Sequence, residues 1–366
     1  MGTYVHIPFC RSKCAYCDFY SMPHLANADR LIAAIGNECR MRSAEIGPAA
    51  SSSIYIGGGT PSILSPAQFR TLVSFLPKPH PSAEFTVEAN PEDISSQLVS
   101  TWLHGGVNRV SMGVQSLVDS ELAEVGRRHS AAQAIAAYRS LRQAGVTNIS
   151  LDLIYGLPGQ SLNSWKHSVD TMMDLRPDHL SAYLLSFEPG TRLYARLLAG
   201  KVTEADEDLI CAMYEYLCTA AAAHGYEHYE ISNFSLPGKR AAHNSSYWNF
   251  SPYIGLGPSA HSFDGHTRRI NPSSLTDYLQ AIESGQTAFS VEEESDLDRL
   301  NDRIMVGLRT SDGLDLSAMD PAEVDAIRLR ARAVPPSHLV WTPTSLRIPE
   351  SSFLISDSII RTLLKD

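Results

Sequence analysis

Six short segments rich in apolar and β-branched residues recur along the first half of the chain, and this rhythm constrains the fold more than any other feature. Segments of helical character separate them, which is the alternation expected of βα units. The six runs cover residues 3–7, 53–56, 84–87, 108–114, 148–154 and 179–185. The sequence therefore predicts an α/β protein built from repeated βα units.

The segments between these runs carry apolar residues at helical spacing. Predicted helices cover residues 31–44, 67–76, 131–144 and 165–175, and a longer one covers 206–223. Pro66, Gly145 and Pro177 punctuate the helix ends. Because no strand opens into a GxGxxG turn, the series favours a barrel, or part of one, over a dinucleotide-binding sheet.

Polar or glycine-rich chemistry follows each predicted strand at once. The positions are a cysteine triplet, the stretch GGGTP at 57–61, Glu88, Gln115, Asp152 and Ser186. In a βα barrel the carboxyl ends of all strands share one face, where active sites lie. One such residue would mean little, but six in series predict one shared site.

Three of the six cysteines, Cys10, Cys14 and Cys17, crowd into eight residues. Such closely spaced thiols in a large chain indicate a metal site rather than a disulfide framework. Three thiolates can hold a 4Fe-4S cluster and leave its fourth iron open for S-adenosylmethionine. Electron transfer into the sulfonium can then cleave a C–S bond. A structural zinc site is the alternative, with His6 or His24 as the nearby fourth ligand.

The loop HIPFCRSKCAYCDF resembles the cluster loop of the radical SAM superfamily, specifically that of its HemN/HemW group. The resemblance extends over nearly the whole chain and implies a partial (β/α)6 TIM-type barrel. It also implies contacts with S-adenosylmethionine from Tyr4, Tyr16, Gly58, Gly59, Thr60, Glu88, Gln115, Arg127, Asp152 and Ser186. For any one of these alone, core packing or a solvated loop position is the alternative.

The resemblance gives several of these groups a chemical role. The glycines leave backbone groups bare for the methionyl ammonium. Arg127 would pair with the cofactor carboxylate, and Asp152 suits two vicinal ribose hydroxyls. Arg128 is a neighbouring candidate that ranks below Arg127.

Two features favour the HemW type over the coproporphyrinogen dehydrogenase type of this group. The dehydrogenase loop has a further cysteine two positions after the third, whereas here Asp18 and Phe19 follow Cys17. The dehydrogenase also has a long arm before the cluster, whereas nine residues precede Cys10 here. The resemblance thus implies a haem chaperone. An oxygen-independent coproporphyrinogen III dehydrogenase, or an unassigned radical reaction, is the alternative.

The stretch His243-Asn-Ser-Ser-Tyr-Trp248 matches the HNxxYW motif that is typical of HemW proteins and implicated there in haem handling. An imidazole can serve as an axial iron ligand with aromatic rings beside the macrocycle. The resemblance therefore implies haem as a third cofactor, with His243 as a binding residue. A structural histidine in an aromatic-rich loop is the alternative.

We divide the chain into a barrel at 1–225, an aromatic and glycine-rich connecting segment at 226–270, and a C-terminal domain at 271–366. The last is predicted to have helices at 275–284, 297–309 and 322–332, then strands at 339–348 and 352–355, a winged-helix-like layout. It contains 9 basic and 16 acidic residues, a net charge of -7. Such a charge opposes a nucleic-acid surface, as does the net charge of -10 for the chain.

The remaining features bound compartment and partners. No apolar stretch is long enough to span a membrane, and the first residues lack the pattern of a secretory signal. We therefore expect a cytoplasmic protein whose partners are haem, a haem-acceptor protein and an electron donor for the cluster. Cys39, Cys211 and Cys218 have no assignable role, and buried thiols are the default interpretation.

Overall fold

A computed structural model describes residues 1–47, 51–317 and 319–364. Its main sheet has twelve strands. Six consecutive parallel strands form its centre. They are β1 (Gly2–Ile7), β2 (Ser51–Gly58), β3 (Pro79–Ala89), β4 (Arg109–Gln115), β5 (Ile149–Tyr155) and β6 (His179–Leu184). These are the six predicted strands, and the partial (β/α)6 barrel is confirmed.

Helices connect the parallel strands and cover one face of the sheet. They are α1 (Ala28–Met41), α2 (Ser43–Ile46), α3 (Pro66–Phe75), α4 (Ser96–His104), α5 (Asp119–Glu124), α6 (Ala131–Gln143) and α7 (Leu162–Leu175). Ser65, Ser130 and Ser161 begin three of them with capping boxes, which satisfy backbone N–H groups that a helix start leaves free. Trp102 and Trp165 are fully buried in the core that these helices share with the sheet.

Residues after β6 extend the sheet at both edges. Two helices come first, α8 (Arg192–Leu198) and α9 (Glu207–Ala223). The antiparallel pair β7 (Glu227–Glu230) and β8 (Asn233–Ser235) then joins β6, and α10 (Ala242–Trp248) follows. On the far side lie β9 (Tyr253–Leu256), β10 (His261–Phe263), β11 (Thr267–Ile270) and β12 (Ser290–Glu293), with α11 (Leu275–Glu283) between the last two. Since β8 pairs with β6 and β9 pairs with β1, this segment borders both edges of the six parallel strands. The strand order across the sheet is β12-β11-β10-β9-β1-β2-β3-β4-β5-β6-β8-β7.

The remaining elements form a small unit around a second sheet with strand order β13-β15-β14. The elements are α12 (Asp296–Gly307), β13 (Leu314–Asp315), α13 (Pro321–Ala331), β14 (Val340–Trp341), β15 (Ser345–Arg347) and α14 (Ser356–Leu363). The predicted strand at 352–355 is wrong, because Glu350–Ile355 forms a 3-10 helix after Pro349. The predicted strand at 339–348 is instead the short hairpin of β14 and β15. The winged-helix-like layout and the three domain boundaries stay predictions.

Candidate functional site

The cysteine loop follows β1 and is closed by backbone hydrogen bonds. Cys10 N–H donates to the Met22 carbonyl at 2.9 Å, and Met22 N–H donates to the Pro8 carbonyl at 2.7 Å. Cys10 is buried, whereas Cys14 and Cys17 are partly exposed, and all three are free thiols. The loop therefore presents three sulfur ligands at the carboxyl end of β1.

The spacing of these thiols argues against the zinc alternative. A tetrahedral zinc ion holds two thiolates about 3.8 Å apart, given its 2.3 Å bonds. Within the described ranges, one group of His, Cys, Asp or Glu residues has all its ligand atoms within 4.8 Å of one another, and it lies elsewhere, so at least two of the three loop sulfurs are further apart than this. Both ring nitrogens of His6 are hydrogen-bonded, to the Tyr4 hydroxyl and the Tyr20 carbonyl, each at 3.0 Å. A four-iron cluster is wider than one ion and fits this donor set better.

Two donor groups lie within hydrogen-bond distance of cysteine sulfurs. Thr60 Oγ1 lies 3.4 Å from Cys10 Sγ, and Arg127 Nη1 lies 3.5 Å from Cys14 Sγ. Asn90 joins the two, because its Nδ2 donates to Thr60 Oγ1 at 3.3 Å and its Oδ1 accepts from Arg127 Nη2 at 2.7 Å. Hydrogen bonds to sulfur set the reduction potential of an iron–sulfur cluster. The arrangement can therefore both orient the ligands and tune a bound cluster.

Asn90 was missed by the sequence analysis, although it stands two residues after Glu88 in FTVEANPE. The signal available was its position just beyond a strand end. Arg127 makes a further hydrogen bond to the Gly113 carbonyl at 2.6 Å, while its buried Nε has no hydrogen-bond partner among the described residues. Arg128 is exposed, so the structure brings Arg127, the higher-ranked candidate, to the cysteines.

Two carboxylates enter the barrel interior beneath this loop. Glu88 accepts from the Tyr55 hydroxyl at 2.7 Å and from the Gly58 N–H at 3.0 Å. Burial is the main cause that raises the pKa of Glu88 to about 7, despite these two hydrogen bonds. Burial likewise raises the pKa of Asp152, whose carboxylate is 3.4 Å from the Ser111 hydroxyl. Two desolvated carboxylates with raised pKa favour a cationic ligand in the same space.

The glycines at the end of β2 are required by close approach. A Cβ on Gly59 would lie 2.6 Å from the Phe9 carbonyl oxygen, and one on Gly58 would lie 2.6 Å from the His6 ring. Gly58 also has a φ of +109°, a region that side chains disfavour. Thr60 N–H donates to the Phe9 carbonyl at 2.8 Å. The glycine run thus brings β2 directly against the cysteine loop.

Gln115 ends β4 in a strained backbone conformation, with a φ of +70°. It follows a register shift between β4 and β5 that begins at Gly113. Backbone strain in a non-glycine residue persists only where the surroundings impose it, and it concentrates at functional sites. Gln115 thus ends β4 at the carboxyl face of the barrel, the face that also carries the cysteine loop.

The other predicted contacts differ in their exposure. Tyr4 stacks on Tyr55 in the interior, with ring centroids 6.1 Å apart. Burial raises the pKa of Tyr16, which lies beside Arg127 in the cysteine loop. Ser186 is exposed after β6, and its hydroxyl donates to the Glu188 carboxylate.

His243 lies at the opposite, amino end of the barrel. It is 1% exposed, with Nδ1 hydrogen-bonded to Ser53 Oγ and Nε2 to the Tyr247 hydroxyl, each at 2.9 Å. Its ring stacks on Tyr55 at 5.1 Å between centroids. Burial is the main cause that lowers its pKa to about 3. The ring is enclosed and both nitrogens are hydrogen-bonded, which favours the structural histidine; a haem-binding role for His243 stays a prediction.

Three further polar residues of the amino end were missed because they lie inside strands. Arg109 is 1% exposed, with Nε 3.8 Å from the Glu84 carboxylate. Glu84 also accepts from the N–H of His243 at 3.0 Å, where α10 begins. His179 is hydrogen-bonded to the hydroxyls of Ser150 and Tyr229, each at 2.7 Å. These residues and His243 form a polar layer at the amino end of the barrel. The sequence signal for this layer was a charged residue within an apolar run.

A cavity of about 590 Å³ opens beyond this layer, between α10 and the C-terminal unit. Trp248 and Phe250 contribute aromatic surface to it, and Arg240 and Arg303 contribute charge. The indole N–H of Trp248 is buried without a hydrogen-bond partner among the residues that the structure covers. Tyr229, which contacts the first residue of β6, also lines the cavity. The cavity is thus at the amino end, away from the cysteine loop.

No helix within the described part of the chain is long and apolar enough to cross a membrane.

Comparison with protein-family models gives a match to the radical SAM superfamily over residues 4–172. This range runs from β1 into α7. It includes the cysteine loop, the glycine run, both interior carboxylates and Arg127. The predicted resemblance to this superfamily is confirmed.

Curated relatives match most of the chain. The heme chaperone HemW of Bacillus subtilis (strain 168) is 36% identical over 323 residues, which cover 86% of this chain and 84% of that protein. HemW of Mycobacterium tuberculosis is 34% identical over 373 residues, with 99% and 94% covered. The mouse mitochondrial radical S-adenosyl methionine domain-containing protein 1 is 32% identical over 327 residues, with 85% and 73% covered.

Among solved structures, the coproporphyrinogen III oxidase HemN of Escherichia coli, a radical SAM enzyme, superposes with a TM-score of 0.87. The match covers 100% of this chain and 90% of that one at 22% sequence identity. At this identity the similarity establishes a shared fold.

Proposed function

The chain belongs to the HemW family of radical SAM proteins, and on that premise we propose that it is a haem chaperone that binds haem and passes it to an acceptor protein. The curated relatives named as heme chaperones support this role. We further propose that it carries a 4Fe-4S cluster and S-adenosylmethionine. An electron donor for the cluster is a further proposed partner.

In this proposal the cluster is held by Cys10, Cys14 and Cys17. When bound, such a cluster supplies one-electron chemistry and an iron site for S-adenosylmethionine. Thr60 and Arg127 donate toward two of the ligand sulfurs and orient them. Burial raises the pKa of the Cys10 and Cys17 thiols, and a bound metal offsets that cost by favouring thiolates.

The proposed S-adenosylmethionine site extends from the glycine run into the barrel interior. Backbone groups of Gly58 and Gly59 are accessible to an ammonium because no side chain covers them. Glu88 and Asp152 supply negative charge toward the two cationic centres of the ligand, its ammonium and its sulfonium, and their low-dielectric surroundings strengthen that attraction. Tyr4, Tyr16, Gln115 and Ser186 complete the proposed contacts.

We propose the cavity lined by Trp248 as the haem site, in place of an iron bond to His243. The observation that carries the chaperone proposal is that this cavity and the cysteine loop lie at opposite ends of the barrel. A porphyrin held at the amino end is remote from the proposed cluster, which suits carriage rather than oxidation. Trp248 and Phe250 offer apolar rings, and Arg240 and Arg303 offer partners for propionates.

Anaerobic reconstitution followed by two parallel assays tests the proposal. We expect haem uptake, which optical titration measures, and we expect no turnover of coproporphyrinogen. Trp248→Ala should weaken haem binding at least tenfold, because it removes apolar contact area and a buried donor. Trp341→Ala is the matched control in the C-terminal unit and should leave haem binding unchanged. Robust decarboxylation of coproporphyrinogen would overturn the chaperone proposal in favour of the dehydrogenase alternative.

A further inference from the structure

A cysteine, a histidine and a glutamate converge where the barrel meets the C-terminal unit. Cys218 lies on α9, His228 on β7, and Glu350 in the 3-10 helix that precedes α14. His228 Nδ1 is 3.8 Å from Cys218 Sγ and 3.1 Å from Glu350 Oε1. All three ligand atoms lie within 4.8 Å of one another. None of these three residues belongs to the cysteine loop, and the family resemblance assigns them no role.

The surroundings of His228 fix which nitrogen faces the other two groups. Its Nε2 is 3.2 Å from the Ile231 carbonyl, so the proton of a neutral ring belongs on that side. Phe234 stacks on the ring at 4.1 Å, and Phe353 packs edge-on at 5.0 Å. Nδ1 therefore directs a lone pair between Sγ and Oε1. A carbonyl that holds the distal N–H is the usual outer partner of a metal-bound histidine.

Sγ of Cys218, Nδ1 of His228 and Oε1 of Glu350 are all electron-rich atoms. Their close approach is favourable when a positive charge lies among them. A protonated imidazole could supply it through an ion pair with Glu350. That ion pair would not engage Cys218, whose sulfur lies 3.8 Å from the same ring nitrogen. A divalent cation satisfies all three groups at once, since it accepts a lone pair from each.

We propose that Cys218, His228 and Glu350 bind a divalent transition-metal ion, with Zn²⁺ as the best match to a sulfur, nitrogen and oxygen donor set. A tetrahedral zinc ion with bonds of about 2.0 to 2.3 Å places sulfur and nitrogen about 3.5 Å apart. The observed 3.8 Å is close to that value, and the observed 3.1 Å between nitrogen and oxygen is slightly below its counterpart. On binding, the Cys218 thiol gives up one proton to solvent and becomes thiolate.

Water completes the coordination from the open side, because the Glu350 side chain is 55% exposed whereas that of His228 is 2% exposed. The ion would link Cys218 and His228, ten residues apart, to Glu350, which lies 122 residues after His228. Two of these residues belong to the barrel side and one to the C-terminal unit. Its role is therefore structural: it fixes the C-terminal unit against α9 and β7.

Titration with Co²⁺ tests the site, because a cobalt–thiolate bond produces a charge-transfer band that oxygen and nitrogen ligands do not. The full chain with Cys10, Cys14 and Cys17 all changed to Ser removes the other thiolate site. We expect one Co²⁺ per chain with this band, displaced by Zn²⁺. Cys218→Ser should abolish the band, and Cys211→Ser, two turns earlier on the same helix, should retain it. Glu350→Gln should weaken Co²⁺ binding at least tenfold.

A second measurement covers the case in which the triple serine chain does not fold. Zinc content is then determined on the chain with its native cysteines after anaerobic reconstitution, with iron measured in the same sample. Cys218→Ser should lose one zinc per chain and keep its iron, whereas Cys211→Ser should keep both. Equal zinc content in these two variants, or a charge-transfer band that survives Cys218→Ser, would overturn the proposal.

Discussion

The two ends of the barrel interior are both polar, yet they use their polar groups differently. At the amino end, His179 and His243 each have both ring nitrogens hydrogen-bonded, and Glu84 receives the N–H that begins α10. At the carboxyl end, three thiols are free and Arg127 has an unpartnered Nε, while at the amino end two nitrogens of Arg109 and the indole N–H of Trp248 also lack hydrogen-bond partners among the described residues. Burial of a polar group without a partner is costly, so unpartnered groups mark where a ligand is expected.

Polar residues in the barrel interior therefore do not by themselves identify a binding site. The hydrogen-bonded histidines stabilise the amino end, whereas the free thiols of the carboxyl end are available to a ligand. Electrostatics follows the same division. Burial keeps His243 neutral at the amino end, with a pKa of about 3, whereas it brings Glu88 to a pKa of about 7 at the carboxyl end. A nearby cation can therefore change the charge of Glu88 but hardly that of His243.

The largest effect on stability is expected at the amino end, from His243→Ala. The change removes a buried ring and leaves the hydroxyls of Ser53 and Tyr247 without their partner. We expect the free energy of unfolding to fall by about 3 kcal/mol, which urea titration measures. Haem uptake per folded chain should not change. A fully stable variant that had lost haem binding would contradict the structural role of His243 and support its role as a haem ligand.

Glu88→Gln probes the carboxyl end through pH. Because the pKa of Glu88 is raised to about 7, the folded chain keeps a proton that the unfolded chain has lost. The free energy of unfolding of the unmodified protein should therefore decrease as the pH rises from about 4.5 to 7, by up to about 3 kcal/mol. Glutamine does not titrate, so the stability of the variant relative to the unmodified protein, measured by urea unfolding, should increase as the pH rises. A difference between the two proteins that is constant with pH would contradict this.

Arg127→Gln separates ligand binding from folding. Loss of a charge-assisted hydrogen bond should weaken S-adenosylmethionine binding about 10- to 100-fold in calorimetric titration of the reconstituted protein. The neighbouring exposed change Arg128→Gln is the control and should have no effect. Iron content distinguishes the mechanisms, because an Arg127 variant that has lost iron acts through Cys14 rather than through the cofactor carboxylate.

Asn90→Ala should have the smallest effect. It removes the bridge between Thr60 and Arg127 but no proposed ligand, so we expect unfolding to become easier by about 1 kcal/mol with iron content retained. Chemical denaturation and iron analysis measure the two quantities. Loss of iron comparable to that of a Cys14→Ser variant would place Asn90 among the groups on which the cluster depends.

The six strands, the long helices and the positions of the strand-end residues could be read from the sequence, because each rests on local periodicity and on the shared face of parallel strands. The radical SAM resemblance was equally local, since a short loop with fixed cysteine spacing carries it. Short elements were less predictable. Residues 350–355 form a 3-10 helix after Pro349, although a strand was predicted at 352–355.

Tertiary structure decided which polar residues are satisfied. No sequence pattern places Ser53 and Tyr247 on the two nitrogens of His243, or Asn90 between Thr60 and Arg127, because these contacts join segments distant in the chain. The same holds for Cys218, which had no assignable role until folding brought it to His228 and Glu350. The sequence by itself determined the barrel and the identity of its chemical groups. Packing alone determined the partners of each group, since hydrogen-bond satisfaction depends on residues that only the fold brings together.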